Sequence, residues 1–562
     1  MTVHASSDRV RIGRRGDVTV RALTDADDDM QAMATWLSDQ RVLQWFHGRD
    51  KPYDVPAVRG HYSSSTLADE GVHGCIIEVA QQPVGYIQFF DVSRYAVEYG
   101  YSAQDDLSDV WACDIFVGDV DRWGQGIGTA SLSVVLDHLF VQRMARRVLI
   151  DPRVVNERAV HMYEKVGFRR VRVLPDHEFH EGRAWDNWLM SLDALDHPAG
   201  LTAALARIDS VNPDLVPGAA GESAISAFVH GWCTDRGLEV HRAQIAPGRW
   251  NVVAIRRGSG GGRSIVFNGH MDTVGVVHDH TMHVDLHDGR LQGRGVLDTK
   301  GGLAAAMIAA ASVQPGELAG DVIVAAVADE EYASVGTEAL VGEWSADAAV
   351  VLEPTELAIV ARHRGFAVVA ASFAGRSSHT SRPERGANAV HAAARATMAV
   401  AQVDGDWAAT LGDVRPSTLV SRVTSGGQTF SVPASCDLIV ELRTTAADPE
   451  GQVKQVVAAI CSAAGDTVAD VQVVMTRPPM DIGDDHPLVA AMTDAIARAG
   501  VPAVVTSAPY WTDAALHVQS GTPAVVFGPI GVGLHEDLEW VSTDSLDQCA
   551  VTLKALVRAW CA

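Results

Sequence analysis

The sequence predicts an α/β protein with more than one domain, and three observations support this fold class. The chain has 562 residues, several times the roughly 100–200 residues of a typical domain. From about residue 201, short apolar runs ending in polar residues alternate with Ala-rich helical runs. Before that point, three apolar runs precede a glycine-rich turn and a helical pattern. We therefore expect two or three domains built from sheets and helices.

Composition and charge narrow the classes of partner. The chain is 47% hydrophobic and 20% charged, an ordinary globular composition, and its net charge is −25. So acidic a chain argues against nucleic acid and anionic membranes as partners and favours amines and cations, although an acidic surface that serves only solubility explains most of the charge. The seven cysteines lie far apart without a Cys-x-x-Cys motif, which suits a reducing compartment. With no signal-peptide pattern and no apolar run of the roughly 20 residues that span a bilayer, we expect a cytoplasmic protein.

The first part of the chain predicts a sheet followed by a helix. Apolar runs at 75–80, 84–90 and 111–117 are separated by polar turns and predict strands. A helix is predicted after the glycines at 124–128, because the apolar residues that follow them recur at helical spacing. The stretch DALDHPAG at 193–200 places Pro and Gly after a polar run and predicts a domain junction.

A glycine-rich motif lies between the third strand and this helix. The run is Trp123-Gly-Gln-Gly-Ile-Gly-Thr129. Closely spaced glycines leave backbone N–H groups free to bind a pyrophosphate, assisted by the helix dipole, although such a turn is structural equally often. A second motif, NERAVHMYEKVGF at 156–168, follows about thirty residues later. Together the two motifs resemble the GNAT superfamily of acyl-coenzyme A transferases over about 18–192.

This resemblance implies acetyl-CoA as a cofactor and gives roles to single residues. Tyr163 would protonate the leaving thiolate. The residues assigned to acetyl-CoA are Val117, Trp123, Gly124, Gln125, Gly126, Ile127, Gly128, Thr129, Asn156, Arg158, Ala159 and Tyr163. The sequence departs from the superfamily at Trp123, where Arg or Gln is common, so one phosphate contact is missing or is supplied elsewhere.

Three further segments indicate the type of acceptor. WLSDQRVLQWFHG, VGYIQFFDV and the aspartate of WACDIFVGD resemble those of aminoglycoside 6'-N-acetyltransferases and siderophore-type acyltransferases. By that resemblance Asp114 is the base that deprotonates the attacking ammonium. The segment before it contains Glu98, Asp105, Asp106 and Asp109 without a Lys or Arg. Such a lining would attract a polycationic amine, and a solvated acidic loop is the alternative.

The second part of the chain predicts a sheet with helices on its faces. The runs NVVAI, SIVFNGHMD, DVIVAAVAD and AAVVLEP predict strands, and GGLAAAMIAAASV predicts a helix. This alternation predicts a mostly parallel sheet, whose ligands bind beyond the carboxyl ends of its strands. A middle stretch, 367–482, combines strand-like runs with Ala-rich helices and predicts an inserted α+β domain.

Metal-binding residue types stand at the predicted ends of these strands. They are His270, Asp272, Asp298, Glu330, Glu331, Glu353 and His535. His270 and Asp272 point to one face of an extended chain, so the histidine can bind a metal while the aspartate accepts its other ring N–H. Asp298 lies in a glycine-rich turn that would let two cations approach. The adjacent carboxylates of Glu330 and Glu331 indicate separate roles, in which one binds metal and the other transfers protons. Each residue alone also has an ordinary structural interpretation.

The motifs GHMDTV, GRGVLDTKGG, DEE, LEPTE, GRSSHTSRPERGANAV and GLHED follow one another over 200–562. Together they resemble the two-zinc metallohydrolase family of acetylornithine deacetylase, succinyl-diaminopimelate desuccinylase and carboxypeptidase G. The resemblance implies two zinc ions, with cobalt or manganese as alternatives. One metal would be held by His270, Asp298 and Glu353. The other would be held by Asp298, Glu331 and His535, so that Asp298 bridges.

The same resemblance implies the remaining roles. Glu330 would be the general base, and Asp272 would orient the first histidine ligand. His379 resembles a histidine that stabilises the oxyanion, often across a dimer, so a homodimer through 367–482 is expected. Asn388 and Arg443 resemble contacts to a substrate carboxylate. Thr512 and Asp513 resemble a family loop near the substrate.

Two departures from that family concern the substrate. Phe430 stands where Asn is usual, and Tyr510 and Trp511 replace smaller residues. We expect a reshaped, more aromatic substrate pocket.

The sequence thus predicts an acetyltransferase domain at 1–195, a two-metal hydrolase domain at 200–366 and 483–562, and a lid or dimerisation domain at 367–482. The main hypothesis is an N-acetyltransferase of a small amine, aminoglycoside-like or a diamino compound, joined to a zinc amidohydrolase or deacetylase. Its setting would be natural-product biosynthesis or self-resistance. Since acting together on one amide would waste acetyl-CoA, the domains use different substrates or nitrogens, or the acetyl group is a temporary mask. Two alternatives are a non-catalytic hydrolase-like binding module and a peptidase regulated by an acyl-CoA sensor.

Overall fold

The computed structural model describes residues 10–275, 283–411, 415–464 and 467–562. The chain divides into two compact units. The first comprises Met1–Ala220, Thr273–Ile308 and Pro529–Ala550, and the second comprises Gly221–Asp272, Ala309–Gly528 and Val551–Ala562. In the part of the chain that the structure describes, no helix is both long and apolar enough to cross a membrane.

The N-terminal region of the first unit is a sheet with helices. Its elements are β1 (Arg11–Arg15), β2 (Val18–Ala22), α1 (Asp27–Trp36), α2 (Gln40–Leu43), α3 (Val55–Tyr62), α4 (Ser64–Glu70), β3 (Val72–Val79), β4 (Gln82–Asp91), β5 (Val110–Val117), α5 (Ile127–Asp137), β6 (Arg147–Ile150), α6 (Glu157–Val166), β7 (Arg169–His180) and β8 (Arg183–Asp193). The three predicted strands and the helix after the glycines are confirmed as β3, β4, β5 and α5. Leu132, Val135, Leu136 and Leu139 are all fully buried, and the other residues of 131–140 are buried as well, so this stretch is covered on all sides.

The strand order explains where a ligand can enter this sheet. Among the described residues, eight strands are ordered β1-β2-β3-β4-β5-β6-β8-β7. β5 and β6 form the parallel pair, and their pairing covers only Val110–Ala112 of β5. The remainder of β5 pairs with β4 alone on that path. A gap therefore opens in the sheet beside the second half of β5, which carries Asp114.

The next part of the chain supplies helices and strands to both units. Its elements are α7 (Pro198–Ala206), α8 (Ser223–Asp235), β9 (Glu239–Ala246), β10 (Arg249–Arg256), β11 (Ile265–His270), β12 (Asp285–His287), β13 (Arg290–Gln292), α9 (Lys300–Ala311), β14 (Val322–Val327), α10 (Val335–Glu343) and β15 (Ala349–Val351). The strands and the helix predicted from their apolar runs are confirmed as β10, β11, β14, β15 and α9. β11 and β14 are buried along their whole length, as strands covered on both faces must be.

The remaining elements begin with the insert. They are β16 (Ile359–His363), β17 (Gly365–Ala374), α11 (Ala389–Leu411), β18 (Ser417–Thr424), β19 (Ser435–Thr444), α12 (Pro449–Ala464), β20 (Val468–Arg477), β21 (Met480–Asp481), α13 (Pro487–Arg498), β22 (Val505–Ala508), α14 (Ala514–Gln519), β23 (Ala524–Val526), β24 (Gly531–Val532), β25 (Trp540–Ser542) and α15 (Thr543–Trp560). β17 to β20 form an antiparallel sheet in the order β18-β19-β17-β20. The helices α11 and α12 share its apolar core. This is the α+β arrangement predicted for the insert, whose bounds stay a prediction.

The large sheet of the second unit is parallel only at its centre. Its order is β21-β16-β23-β15-β11-β14-β10-β9, with β22 beside β16. β14, β11, β15 and β23 run parallel to their neighbours in this group. β10 and β9 are antiparallel at one margin, and β16 is antiparallel to β23 at the other. The prediction of a mostly parallel sheet is therefore right for the central strands and wrong at the margins.

The first unit contains a second sheet and an apolar cluster that we call the shared core. The small sheet has the order β12-β13-β25-β24. The shared core consists of Val141, Ala199, Ala203, Ala206, Val284, Leu286, Leu291, Val296, Leu297, Val541 and Leu546. The stretch predicted as a domain junction, 193–200, is half-buried at first and ends in the first turn of the buried helix α7, so it is not an exposed linker. Because this cluster joins both sides of the predicted boundary near residue 195, the compact units do not follow that boundary.

Polar contacts accompany the shared core. The Arg15 guanidinium contacts carboxylate oxygens of Asp547 at 2.5 Å and of Asp544 at 3.1 Å. Gln142 donates its side-chain N–H to the carbonyl oxygen of Leu286 at 2.7 Å. Asp137 at the end of α5 is buried, and burial, only partly offset by the charge of Arg15, raises its pKa to about 7.

Candidate active sites

A cavity of about 750 Å³ occupies the N-terminal region, in the gap beside β5. The glycine-rich turn lines it at Gly124 and Gly126, and Asp114 and Tyr163 line it as well. Of the residues predicted to contact acetyl-CoA, all but Gln125 line this cavity. Gln125 is exposed and donates its side-chain N–H to the carbonyl oxygen of Asp121 at 3.3 Å.

The glycine-rich turn presents free backbone to the cavity. Gly124 and Gly126 both have φ near 81°, a conformation that glycine adopts without strain. A Cβ atom at either position would meet nothing within 4 Å. α5 begins directly afterwards, and Gly126 offers no side chain to cap its first N–H groups. Those donors, with the positive end of the helix dipole, suit a pyrophosphate.

Two residues of the second motif hold helix α6 in place. Asn156 accepts a hydrogen bond from the N–H of Ala159 at 3.3 Å through its side-chain oxygen, which caps the helix. A Cβ atom on Gly128 would lie 3.1 Å from the sulfur of Met162. The glycine therefore allows α5 and α6 to approach closely, and this packing shapes the cavity wall.

The proposed base, Asp114, has defined partners on the neighbouring strand. Gln88 lies opposite it in β4 and donates its side-chain N–H to the carboxylate at 2.7 Å. Tyr86 donates its hydroxyl to the side-chain oxygen of Gln88 at 2.8 Å. Burial and the charge of Asp151 raise the pKa of Asp114 to about 7, against the opposing hydrogen bond from Gln88. A carboxyl group of this kind exchanges its proton near neutral pH, which suits a general base.

Other acidic residues face the cavity, but not all of those predicted. The acidic lining consists of Glu70, Glu98, Asp114, Asp151 and Glu178. Asp105 and Asp106 are exposed and accept hydrogen bonds from Ser102 and Ser108 in local turns. Neither they nor Asp109 line the cavity, so the acidic-loop alternative holds for these three residues.

Asp151 and Glu178 were missed by the sequence reasoning, and both belong to a partly buried hydrogen-bond network. The Asp151 carboxylate lies 3.0 Å from Nε2 of His177, and this contact raises the pKa of the histidine. Arg153 donates to Glu178 at 2.8 Å and Asn187 donates to it at 2.7 Å. Burial pushes the pKa of Glu178 upward, but these hydrogen bonds outweigh burial and leave it below its ordinary value. Glu178 therefore stays ionised.

Aromatic rings also line the cavity. Phe46, Tyr53 and Tyr62 line it, and the ring centroids of the two tyrosines lie 6.3 Å apart. Tyr163 on α6 is buried, and burial raises the pKa of its phenol well above the ordinary value. The phenol is therefore protonated at neutral pH.

In the second unit, His270 lies among carboxylates at the carboxyl end of β11. Its Nε2 lies 3.8 Å from Oε1 of Glu353 and 4.0 Å from Oε2 of Glu330. Its Nδ1 lies 2.9 Å from the backbone carbonyl oxygen of Asp272, whereas the carboxylate of Asp272 is 3.7 Å away. The ring nitrogen therefore contacts the carbonyl oxygen of Asp272 rather than the carboxylate that the sequence predicted, and the orienting role of Asp272 stays a prediction.

The carboxylate of Asp272 instead holds the turn after β14. It accepts hydrogen bonds from the backbone N–H groups of Glu330 at 3.2 Å and Glu331 at 3.3 Å. Behind this turn, buried Arg249 contacts Asp329 at 2.8 Å and also pairs with buried Glu222. Sequence reasoning missed this support, because Arg249 begins a strand without any recognisable motif.

Like charges crowd around Glu330. Burial raises the pKa of its carboxyl group well above the ordinary value, and the charges of Glu353 and Asp513 act in the same direction. The nearby His270 opposes them. A divalent cation bound at such a cluster would offset the repulsion and favour the ionised carboxylates.

In the first unit, Asp298 and His535 lie together. Nε2 of His535 is 3.3 Å from Oδ2 of Asp298. The loop that carries Asp298 is held by the buried carboxylate of Glu539, which accepts N–H groups of Gly295 and Leu297 at 2.9 Å and of Asp298 at 3.2 Å. Arg294 pairs with the same carboxylate at 2.9 Å. Glu539 is a further residue that the sequence reasoning missed.

The predicted substrate residues of the insert have local partners. His379 is exposed, and its Nδ1 lies 2.9 Å from Oγ of Ser381. The side-chain oxygen of Asn388 accepts the N–H of Val390 at 2.9 Å at the start of α11. Arg443 lies over the ring of Phe366 at 5.6 Å. Asn388 and Arg443 thus have structural contacts, and their substrate roles stay predictions.

Thr512 and Asp513, predicted to lie near the substrate, have buried side chains. Thr512 and Asp513 are both 2% exposed, and Asp513 accepts a hydrogen bond from Thr337. Burial raises the pKa of Asp513 to about 6. Neither side chain is therefore open to solvent, and their substrate roles stay predictions.

Trp511 and Phe430, two of the aromatic departures from the family pattern, have defined contacts. Trp511 donates its indole N–H to the carbonyl oxygen of Pro478 at 3.1 Å and packs edge-on against Phe366 at 5.9 Å. These are the points where the chain leaves and enters the insert, so Trp511 links the insert to the large sheet. Phe430 is 72% exposed, and its carbonyl oxygen accepts the N–H of Thr380, next to His379, at 3.1 Å.

Comparison with known proteins identifies both parts of the chain. Residues 266–559 match the model of peptidase family M20/M25/M40, and residues 25–175 match the acetyltransferase (GNAT) domain. The chain therefore belongs to peptidase family M20/M25/M40 and carries a GNAT acetyltransferase domain ahead of the peptidase region. Both resemblances inferred from the sequence are confirmed, and both parts belong to enzyme classes. The first class implies a divalent metal and the second implies acetyl-CoA.

Individual relatives agree with this assignment. The chain is 30% identical over 333 residues to an acetylornithine deacetylase of Myxococcus xanthus, covering 55% of this chain and 84% of the relative. It is 28% identical over 155 residues to aminoglycoside N(6')-acetyltransferase type 1 of Klebsiella pneumoniae, covering 27% of this chain and 74% of the relative. Aminopeptidase PepT from Bacillus cereus shares the fold, with a TM-score of 0.56, 22% identity, and coverage of 65% of this chain and 98% of that chain.

Proposed function

We propose that this protein is a bifunctional enzyme that transfers an acetyl group from acetyl-CoA to a small amine and hydrolyses an amide bond with two divalent metal ions. The observation that carries the proposal is the cavity beside β5. It combines a glycine-rich turn suited to pyrophosphate with an acidic wall and a carboxyl group, Asp114, whose pKa of about 7 suits proton transfer.

The acceptor that best fits this cavity is a polycationic amine. The acidic residues that line it attract cations, and the faces of Phe46, Tyr53 and Tyr62 can hold an ammonium or an apolar sugar face. An aminoglycoside-like or diamino compound has this chemistry. The relative named aminoglycoside N(6')-acetyltransferase type 1 supports this choice.

The transfer would follow from two groups at the cavity. Asp114 removes a proton from the ammonium, which frees the nitrogen lone pair to attack the thioester carbonyl carbon. A new C–N bond forms, and the C–S bond breaks with its electron pair leaving on sulfur. Tyr163 would donate its phenolic proton to that thiolate, and the second proton that leaves the nitrogen as the amide forms would return to the phenolate. Gln88 keeps the Asp114 carboxylate oriented through the 2.7 Å hydrogen bond.

For the hydrolase, we propose the metal sets that the family resemblance implies. His270, Asp298 and Glu353 form one set, and Asp298, Glu331 and His535 form the other; each offers a histidine nitrogen and two carboxylates able to hold a metal ion. This donor set fits zinc, with cobalt and manganese as alternatives. When bound, the ions would activate water and polarise the scissile carbonyl.

The protein's own groups would then move the proton. Glu330 lies beside His270 and Glu353, where it can accept a proton from the attacking water and deliver it to the departing nitrogen. Asp272 orients His270 through its carbonyl oxygen. His379 is the proposed donor to the oxyanion. The acetylornithine deacetylase relative supports an acylated amine as the substrate.

The proposal also includes an oligomeric state and a biological role. We propose a homodimer through 367–482, because the outer strands of the insert's sheet, β18 and β20, expose apolar side chains such as Leu419, Val423 and Val474. The setting would be a cytoplasmic route of natural-product biosynthesis or self-resistance, with the acetyl group either a temporary mask or placed on a different substrate from the one hydrolysed. Cys75, Cys113 and the other five cysteines are all unpaired, as a reducing compartment favours.

A mass-spectrometric time course tests the proposal. Full-length protein with zinc receives acetyl-CoA and a panel of aminoglycosides, diamino acids and N-acetylated amines. Glu330→Ala and Asp114→Asn proteins run beside it. A product that keeps its acetyl group only in the Glu330→Ala protein shows that both sites act on one molecule. A product that persists in wild type shows separate substrates, and no acetylated product in any arm refutes the transferase half.

A further inference from the structure

Arg158 and Trp123 form a pair at the edge of the glycine-rich turn. The guanidinium carbon of Arg158 lies 4.2 Å from the centroid of the Trp123 ring. Trp123 directly precedes Gly124, and Arg158 lies in the first turn of α6. Both residues line the cavity together with Gly124 and Gly126.

The tryptophan ring is held in a fixed orientation. Its indole N–H donates a hydrogen bond to the carbonyl oxygen of Val117, the last residue of β5, at 2.7 Å. The ring is half-buried and packs against the apolar cluster around Phe116 and Val42. Because the hydrogen bond and the packing both restrict the indole ring, its exposed face can stack with a planar cation in a fixed orientation.

Within the described ranges, the charge of Arg158 is not compensated by a carboxylate. The side chain is exposed, and no ion pair to Asp or Glu is formed among the residues that the structure describes. Its neighbour Arg122 differs, because its guanidinium is bound to Asp119 at 3.0 Å. Arg158 is therefore the better placed of these two arginines to bind an anion.

We propose that Arg158, stacked on Trp123, is a cationic contact of the coenzyme A pyrophosphate. This inference rests on the proposed use of acetyl-CoA. The backbone donors of the glycine-rich turn would bind one side of the pyrophosphate, and the guanidinium would supply the positive charge that a planar donor holds well. Trp123 is a positioning residue in this arrangement, since it restricts the guanidinium rather than contacting the phosphate.

Isothermal titration of the full-length protein tests the pair. The ligands are coenzyme A, dephospho-coenzyme A, which keeps the pyrophosphate, and pantetheine, which lacks it. Arg158→Ala should raise the Kd for both nucleotide ligands by roughly tenfold to a hundredfold, the loss expected for one charge-assisted hydrogen bond. Its Kd for pantetheine should be unchanged. Trp123→Ala should raise the same two Kd values by about threefold, and Trp123→Phe should restore them.

A matched control comes from another arginine–tryptophan pair of the same region. Arg170 lies over Trp188 at 5.2 Å and does not line the cavity. Arg170→Ala should therefore leave all three Kd values unchanged. Circular dichroism of each variant confirms that it is folded.

Three results would overturn the inference, and they differ from a failure of the proposed function. A folded Arg158→Ala protein with a wild-type Kd for coenzyme A removes the contact altogether. If Arg158→Ala raises the Kd for coenzyme A but not for dephospho-coenzyme A, Arg158 contacts the 3'-phosphate rather than the pyrophosphate. An unchanged Kd in Trp123→Ala removes the positioning role. If the wild-type protein binds neither nucleotide ligand, the proposed acetyl-CoA site itself is refuted.

Discussion

Replacing Gln88 with leucine should shift the pH profile of acetyl transfer toward alkaline pH. Gln88 donates its side-chain N–H to the Asp114 carboxylate at 2.7 Å and thereby stabilises the ionised form. Burial and the charge of Asp151 act against it and leave the pKa of Asp114 at about 7. Without the hydrogen bond, the protonated form of Asp114 is favoured further over the ionised form, so the pKa of Asp114 rises.

The size of the shift follows from that one contact. A hydrogen bond to a charged group contributes about 1.5–3 kcal/mol, and a pKa difference of one corresponds to about 1.4 kcal/mol, so the pKa should rise by about one to two. At pH 7 a rise of one lowers the fraction of ionised base from about one-half to about one-tenth. Because the ionised carboxylate is the active form, kcat/KM should fall about fivefold at pH 7 and approach the wild-type value near pH 9.

The assay is kcat/KM for acetyl transfer between about pH 5 and pH 9, with one amine for all variants. Gln82→Leu, an exposed position on the same strand β4, is the control and should keep the wild-type profile. Asp151→Asn should shift the profile to lower pH, because Asp151 contributes more to raising the pKa of Asp114 than His177 contributes to lowering it. The leucine variant leaves the Tyr86 hydroxyl without its acceptor, so its thermal unfolding is recorded as well. A folded Gln88→Leu protein with an unshifted profile would refute Asp114 as the base.

Four further predictions concern the hydrolase and stability. Glu330→Ala should reduce amide hydrolysis by at least about a hundredfold and leave acetyl transfer at the wild-type rate; equal loss of both would contradict separate sites. Chelation of divalent metal should abolish hydrolysis and spare transfer, and re-addition of zinc, cobalt or manganese should restore it. Glu539→Gln should weaken metal binding by about 10–100-fold, because the loop carrying Asp298 loses a carboxylate acceptor; competition with a chromophoric chelator measures this, and unchanged affinity would contradict it. Asp137→Asn should gain stability relative to wild type as pH rises, because the pKa of folded Asp137 is raised from 3.8 to about 7. The folded wild type then binds more protons than the unfolded chain in that window and loses stability as pH rises; parallel urea-unfolding profiles of the two proteins would contradict this.

The sequence predicted those parts of the fold and sites that depend on local pattern. The apolar runs of β5, β11 and β14 are continuous, so their strands could be recognised without tertiary information. His270 ends β11 and Glu353 follows β15, and the carboxyl ends of parallel neighbours meet at one edge of a sheet. In agreement with that rule, Nε2 of His270 lies 3.8 Å from Oε1 of Glu353, although the two residues are 83 positions apart in the sequence.

Other site residues depend on long-range pairing that no local pattern reveals. Asp151 and Glu178 reach the cavity because β8 lies between β6 and β7 in the sheet, an order that sequence alone did not supply. Glu539 follows no apolar run, and its importance appears only when its carboxylate meets the backbone near Asp298. Trp511 was predicted to reshape the substrate pocket because of its size. In the structure its ring instead packs against Phe366 and donates a hydrogen bond to Pro478 at the base of the insert.

The shared core also limits how this chain can be divided. Val141 of the acetyltransferase region is buried together with Ala199 and Ala203 of α7 and with Leu291 and Leu546 of the hydrolase region. A protein cut near residue 195 would leave Val141 without these neighbours and present a new apolar surface to water. Such fragments are expected to aggregate unless the exposed face is redesigned with polar side chains. Replacing the acetyltransferase region with that of another protein would therefore need matching substitutions on α7. The acetyltransferase and hydrolase regions are thus expected to be retained together, both in evolution and in engineered proteins.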